Sequence, residues 1–168
     1  IGMDQGNSEI ELPFTIDYID LAGNVGVQDI ITTDSSVVRF DMTDPAVSDI
    51  FISSSNTYDS TLAMIGDTVF IEFTSNELAQ VPDVIIGSSS AFVNGEGTNW
   101  IAALEMSEDD AEGDILFTVD YLDLAGNTGA QRFSTDDESN VVFDRTNPEM
   151  TEVHIESNNI YDNSLAMI

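Results

Sequence analysis

The residues able to do chemistry in this chain are almost all oxygen donors. Asp and Glu number 32 against 3 Lys plus Arg, giving a formal charge of −29 over 168 residues. There is no cysteine, all three cations are arginines (Arg39, Arg132, Arg145), and the single histidine is His154. Thiolate nucleophiles and thiolate metal sites are therefore excluded, and only carboxylates remain for acid–base work. The acids are bunched: Ser107–Asp114 reads SEDDAEGD, Asp136–Glu138 is Asp-Asp-Glu, and Asp41, Asp44 and Asp144 flank Thr-x-Pro segments. Oxygen donors at this density suit a hard cation, and calcium takes six to eight of them from carboxylates, amides and backbone carbonyls. So few cations cannot neutralise a run of phosphates, so nucleic acid and anionic membranes are not expected partners. No run of about 18 apolar residues is present, so no membrane span is expected.

The same donors recur along the chain. Phe14–Gln28 reads FTIDYIDLAGNVGVQ and Phe117–Gln131 reads FTVDYLDLAGNTGAQ. Sliding the chain by about 103 residues aligns Ile1–Ile65 with Leu104–Ile168 without a gap, and about 30 of the 65 pairs are identical. Candidate metal ligands fall into pairs under this shift: Glu9 with Glu112, Glu11 with Asp114, Asp20 with Asp123, Asn24 with Asn127, Asp41 with Asp144, and Asp44 with Asn147. His154 falls opposite Phe51, which argues against a histidine base or ligand. An enzyme is accordingly not expected, since hydrolases that use two carboxylates also need a cleft to raise one pKa.

A period near 100 residues is the length of a domain. The expected division is 1–41 as the C-terminal part of one repeat, 42–144 as a complete repeat, and 145–168 as the N-terminal part of the next. The 168 residues read as a window on a longer tandem array. With 42% hydrophobic residues, each unit has the means to bury a core.

Short runs alternate apolar and polar residues between Gly, Asn, Asp and Pro, which is the strand signal. Val69, Ile71 and Phe73 share a face, as do Trp100, Ala102, Leu104 and Met106, and again Phe117, Val119 and Tyr121. Further strands fit Val47–Ile52, Val84–Ile86, Ala91–Val93, Gly129–Phe133 and Val141–Phe143. The fold class expected is all-β: an immunoglobulin-like β-sandwich of seven or eight antiparallel strands, repeated in tandem. If successive strands alternate poles, the Asp123–Thr128 turn meets the Asp41–Pro45 linker at one pole. The Asp4–Glu11 loop of the preceding copy meets the same linker, so three oxygen-rich segments converge at the joint.

Other readings of these residues stay open. Asp123–Asn127 also reads as a hairpin turn with Gly126 at positive φ, a role compatible with metal binding. The acidic runs also suit a solvated face, or a surface adapted to strong brine. Brine adaptation scatters acids without keeping each one, whereas several here recur between the copies, which favours ion binding.

Asp-Leu-Ala-Gly-Asn at Asp20–Asn24 and Asp123–Asn127, Gly66-Asp67-Thr68-Val69 before a strand, Asn99-Trp100, and Val-x-Phe-Asp-x-Thr-x-Pro at both joints carry a resemblance. With them the chain resembles the bacterial immunoglobulin-like tandem repeats of giant surface adhesins and extracellular filaments. The joints read Asp-Met-Thr-Asp-Pro and Asp-Arg-Thr-Asn-Pro where the family's usual form is Asp-Thr-Thr-Ala-Pro. The resemblance implies calcium at domain junctions, here at Asp41, Asp44, Asp123 and Asn127, and an extracellular, cell-surface location. The function expected is a structural segment of a filament or adhesin stalk. Its partners would be neighbouring repeats of the same chain and other copies in a filament. The alternative is a ligand-binding module whose outward faces grip carbohydrate, ice or a receptor, with Phe51, Phe70 and Phe92 as candidate contacts.

Overall fold

The computed structural model of the chain describes residues 11–166, and among these no residue is helical. Ten strands run in order: β1 Val47–Ser54, β2 Leu62–Ala63, β3 Thr68–Ser75, β4 Asp83–Ile86, β5 Ser89–Ser90, β6 Phe92–Glu96, β7 Asn99–Glu105, β8 Gly113–Asp114, β9 Phe117–Asp120 and β10 Val142–Phe143. All ten fall within the expected 42–144 segment. Three sheets result, with strand orders β1-β3-β7-β6, β5-β4-β9 and β2-β10-β8.

The apolar period decides which faces are buried. Along β3 alternate residues Val69, Ile71 and Phe73 are buried, and β7 aligns its buried Trp100 and Ala102 with Phe73 and Ile71 across the ladder. Opposite them, β4 contributes Val84 and Ile86, and β9 contributes Phe117 and Val119. With Ile50, Ile52, Tyr121, Val141 and Phe143 these side chains form one cluster, so the chain packs sheet against sheet as an all-β structure consistent with a β-sandwich. Each large side chain buried this way contributes about 1.5–3 kcal/mol.

Two glycines make room for aromatic rings. Gly95 lies across the β6–β7 ladder from Trp100, where a Cβ would press on the indole. Gly129 lies under the ring of Tyr121, and Gly26 stands in the same relation to Tyr18.

β1 carries a bulge. Its register against β3 shifts between Ser48 and Phe51, with Asp49 at a φ of 55°. Asp49 accepts from the Thr74 hydroxyl at 2.8 Å, which holds the kink. Beyond it Ile50 turns to a new partner, donating its N–H to Asp136 Oδ2 at 3.0 Å while Asp136 N–H donates to the Ile50 carbonyl at 2.8 Å. Arg132 ties the same corner, donating to the Val47 carbonyl at 2.7 Å and pairing with Asp136.

Two strand expectations need correction. Not every pairing is antiparallel, because β2 runs parallel to β10. β2 has two residues and no apolar alternation, so nothing in the sequence marks its direction. Gly129–Phe133 also forms no full strand. It holds one bridge, Arg132 to Val119, with hydrogen bonds of 2.8 and 3.1 Å. No helix among the described residues is long and apolar enough to cross a membrane.

Buried Tyr121 cannot swing aside, whereas Tyr18 is half exposed. Gly129→Ala is expected to cost about 1–3 kcal/mol of unfolding free energy and Gly26→Ala much less. Equal effects in chemical denaturation would contradict this account of the packing.

Candidate metal centre

The site starts from the turn after β9. Leu122 bridges to Thr128, and the chain between them reverses over Asp123. Asp123 Oδ1 accepts from Gly126 N–H at 2.6 Å and Asn127 N–H at 2.8 Å, and Oδ2 accepts from Asn127 Nδ2 at 2.7 Å. Gly126 takes a φ of 97°, which costs glycine nothing. The turn role anticipated for this pentapeptide is thus observed, and the side-chain bonds of Asp123 are what hold the reversal.

Asp20 makes the same turn, accepting from Asn24 N–H and Asn24 Nδ2 at 2.8 Å each, with Gly23 at a φ of 92°. Asp20 and Asn24 are exposed, however, whereas Asp123 is 1% exposed. Two segments make the difference. The loop after β3 covers one side: Gln80 Nε2 donates to the Asp123 carbonyl at 2.8 Å and Gln80 N–H to the Leu122 carbonyl at 2.9 Å. The linker covers the other, where Asn127 Nδ2 also donates to the Asp41 carbonyl at 3.3 Å. Asp41 Oδ1 in turn accepts from Thr43 N–H at 3.0 Å.

These contacts bring three carboxylates together. Oxygens of Asp41, Glu77 and Asp123 lie within 4.8 Å of one another, the first two residues half-buried and the third buried. At that separation two charges repel by roughly 3 kcal/mol at an effective dielectric near 20. The ion pairs Arg39–Glu11 and Arg132–Asp136, and the contact between His154 and Glu156, lie elsewhere. The donor set is all oxygen, which fits calcium or magnesium and does not suit thiophilic metals.

Burial raises the affinity of the Asp123 carboxyl for a proton. The donors on it outweigh that cost, Asn127 through its side chain and then its backbone, followed by Gly126. The net effect holds Asp123 below the usual carboxylate value of 3.8. The carboxylate stays charged although it is shielded from water.

Of the residues singled out from sequence, the structure joins Asp41, Asp123 and Asn127. Asp44 is exposed and outside the cluster. At the second linker Glu112 Oε1 accepts from Arg145 N–H at 2.9 Å and Thr146 Oγ1 at 2.8 Å, while Asp144 Oδ1 accepts from Thr146 N–H at 2.8 Å. The acidic loop before β9 and the linker after β10 therefore touch. These bonds, Thr146 first, also hold Glu112 below its usual 4.5. Asp114 and Asn147 are exposed and join no carboxylate cluster among the described residues, and Glu11 pairs with Arg39 at 3.1 Å. Glu9 lies outside the described residues.

Glu77 was missed from sequence. The shift by 103 compares only Ile1–Ile65 with Leu104–Ile168, so Glu77 has no counterpart to pair with. The alternation of poles did carry a signal: the loop after β3 ends at the same pole as the turn after β9.

Comparison with family models, curated proteins and solved structures yields no match.

A carboxyl held below its ordinary value lends stability above that value and loses it as pH falls through the folded-state value. Asp123→Ala strips acceptors from three donors and is expected to cost about 1–3 kcal/mol near neutral pH. Below pH 3.8, where the unfolded carboxyl takes up its proton, the gap between variant and parent should narrow. A gap in denaturation midpoints that stays constant into acid would contradict the assignment.

Proposed function

We propose that this chain is a structural segment of an extracellular, cell-surface filament or adhesin stalk, built from tandem immunoglobulin-like β-sandwich domains and stiffened by calcium at the joints. The observation that carries this reading is the Asp41–Glu77–Asp123 cluster. One carboxylate belongs to the linker, one to the loop after β3 and one to the turn after β9. An ion shared by all three ties the linker to the body of the domain. Without it, mutual repulsion drives the linker outward.

Tandem construction is supported by hydrogen bonds that recur at the 103-residue offset. Ile16 N–H donates to the Asp29 carbonyl and Val119 N–H to that of Arg132. Gly26 N–H bonds the Tyr18 carbonyl and Gly129 N–H that of Tyr121. Gln28 reaches Asp17 as Gln131 reaches Asp120, and Thr43 N–H caps Asp41 as Thr146 N–H caps Asp144. Ser35 and Glu138, one offset apart, both have a φ of 62°. In this reading the partners are neighbouring repeats, and no enzymatic role is assigned.

A second reading, a ligand-binding module, draws on one feature. Phe70 and Phe92 flank Ala103 on adjacent strands of the outward sheet face, and Phe92 is 75% exposed. Two outward phenylalanine rings on one sheet face suit the face of a sugar ring.

The joint reading makes a sign-reversing prediction. In chelator, Asp41→Asn and Glu77→Gln relieve repulsion and should raise stability by up to about 1 kcal/mol. In calcium the order inverts, because a ligand at a hundredfold excess over Kd stabilises the parent by about 2.7 kcal/mol and the variants lose that gain. Asp44→Asn, outside the cluster, should respond to calcium as the parent does. Thermal melts in calcium and in chelator check this; no calcium response in the parent would contradict it.

A further inference from the structure

The sheet β1-β3-β7-β6 has two edges, and the fold treats them differently. Along β1 the outward N–H groups of Ile50 and Ile52 are taken by Asp136 Oδ2 and Ser139 Oγ, at 3.0 Å each. Along β6 no such cover exists among the described residues. The turn from β6 to β7 is a loop of Gly97 and Thr98, with Gly97 at a φ of 69° and Glu96 facing Asn99. In a hairpin of that length the residues flanking the loop bond each other, and the pattern alternates from there. Phe92, Asn94 and Glu96 therefore spend their backbone groups on β7, while Val93 and Gly95 aim theirs out of the sheet. No hydrogen bond reaches Val93 or Gly95 from that side among the described residues. β6 also lacks the lysine, proline or bulge with which sheets discourage an added strand.

The outward sheet face beside this edge is both apolar and acidic. Phe92, Ala103 and Phe70 form one cross-strand row, and Ile101, Glu72 and Phe51 form the next. By the alternation along each strand, Glu96 and Glu105 stand on the same face, at its opposite ends. None of these three carboxylates meets a cation among the described residues. Arg39 pairs with Glu11, Arg132 pairs with Asp136, and Arg145 bonds the Glu108 carbonyl.

We propose that the free edge of β6 receives an extended, cationic polypeptide strand from another protein, whose side chains alternate between packing on Phe92, pairing with Glu96, and facing the core side of the sheet.

The chemistry of the edge selects this partner. Val93 and Gly95 stand two apart, and only a polypeptide strand carries donors and acceptors at that repeat along its whole length. Every pairing in this sheet is antiparallel, so the added strand continues that order. Its residues opposite Val93 and Gly95 exchange the backbone bonds, and those opposite Phe92 and Glu96 lie on the outward face. A second copy of this chain is a poor occupant, because each copy brings a charge of −29 and only 3 arginines. A basic strand instead finds three unpaired carboxylates around an apolar centre. Calcium at the joint plays no part in this contact, so the proposal stands apart from the stalk reading.

The test uses the full chain in chelator, isotope-labelled for NMR, and the capped peptide Lys-Val-Phe-Val-Lys-Val-Lys as probe. Amide shifts should saturate and centre on Phe92–Glu96. N-methylating the peptide's valines, which face Val93 and Gly95, should weaken binding about tenfold. N-methylating its lysines, whose N–H groups point away from β6, should change affinity by less than about twofold. Sodium chloride should weaken binding, and Phe92→Ala, at a 75% exposed site that leaves the core intact, should weaken it about fivefold. The absence of a saturable shift would overturn the proposal, as would equal losses from the two methylated peptides, which would mark charge attraction alone. Cellohexaose that moved the β6 amides as far as the peptide does would give the face to a sugar and also overturn it. So would concentration-dependent self-association of the parent that Phe92→Ala abolishes, since the edge would then belong to a second copy.

Discussion

The joint depends on a carboxylate that is kept charged while it is kept from water. Asp123 accepts from two backbone N–H groups and one side-chain amide, and that donor set offsets the cost of burial. The same amide, from Asn127, reaches the carbonyl of Asp41 and draws the linker over the turn. Asp41 and Glu77 then stand beside a charge that solvent cannot screen well. Three carboxylates this close repel one another, and in the proposed reading a shared cation would hold the linker down. The fold supplies the rest: β9 and the buried Tyr121 fix the start of the turn, and β3 delivers the loop that carries Glu77.

Much of this could be read before any coordinates. Strict alternation at Val69, Ile71 and Phe73, and at Phe117, Val119 and Tyr121, marked strands whose inward faces are the ones now buried. The turn was legible because Asp and Asn bond nearby backbone and Gly adopts positive φ without strain, a combination that favours chain reversal. Asp41 and Asp123 stood out because each recurs 103 residues away. What stayed hidden lacked either signal. Two-residue strands such as β2 have no period, so its parallel partnership with β10 was invisible. Glu77 sits in an irregular loop with no copy to compare. Asp44 was legible as a donor but is exposed and outside the cluster, since a linker residue's placement depends on local turns that composition does not encode.

The recurrence of hydrogen bonds between residues 11–41 and 114–144 shows how strongly local sequence dictates local structure here. The turns, the capped linkers and the positive φ of Ser35 and Glu138 appear in both places. Burial does not recur: Val141 is covered where Val38 is not, and Asp123 is enclosed where Asp20 is open. Local chemistry sets the shape of each piece, and the neighbouring strands decide whether that shape becomes a core or a surface. The same dependence explains why one Asp-Leu-Ala-Gly-Asn turn joins a carboxylate cluster and the other lies in solvent.

A charge of −29 on 168 residues makes extension easy and order at the joints difficult. Calcium at Asp41, Glu77 and Asp123 would supply that order at one defined place. The direct measurement is the distance distribution between spin labels at Asp29→Cys, before the linker, and Glu105→Cys, at the end of β7, read by pulsed electron paramagnetic resonance. A broad distribution in chelator that collapses to a single narrow peak in calcium is the predicted result. A distribution that calcium leaves unchanged, broad or narrow, would contradict it.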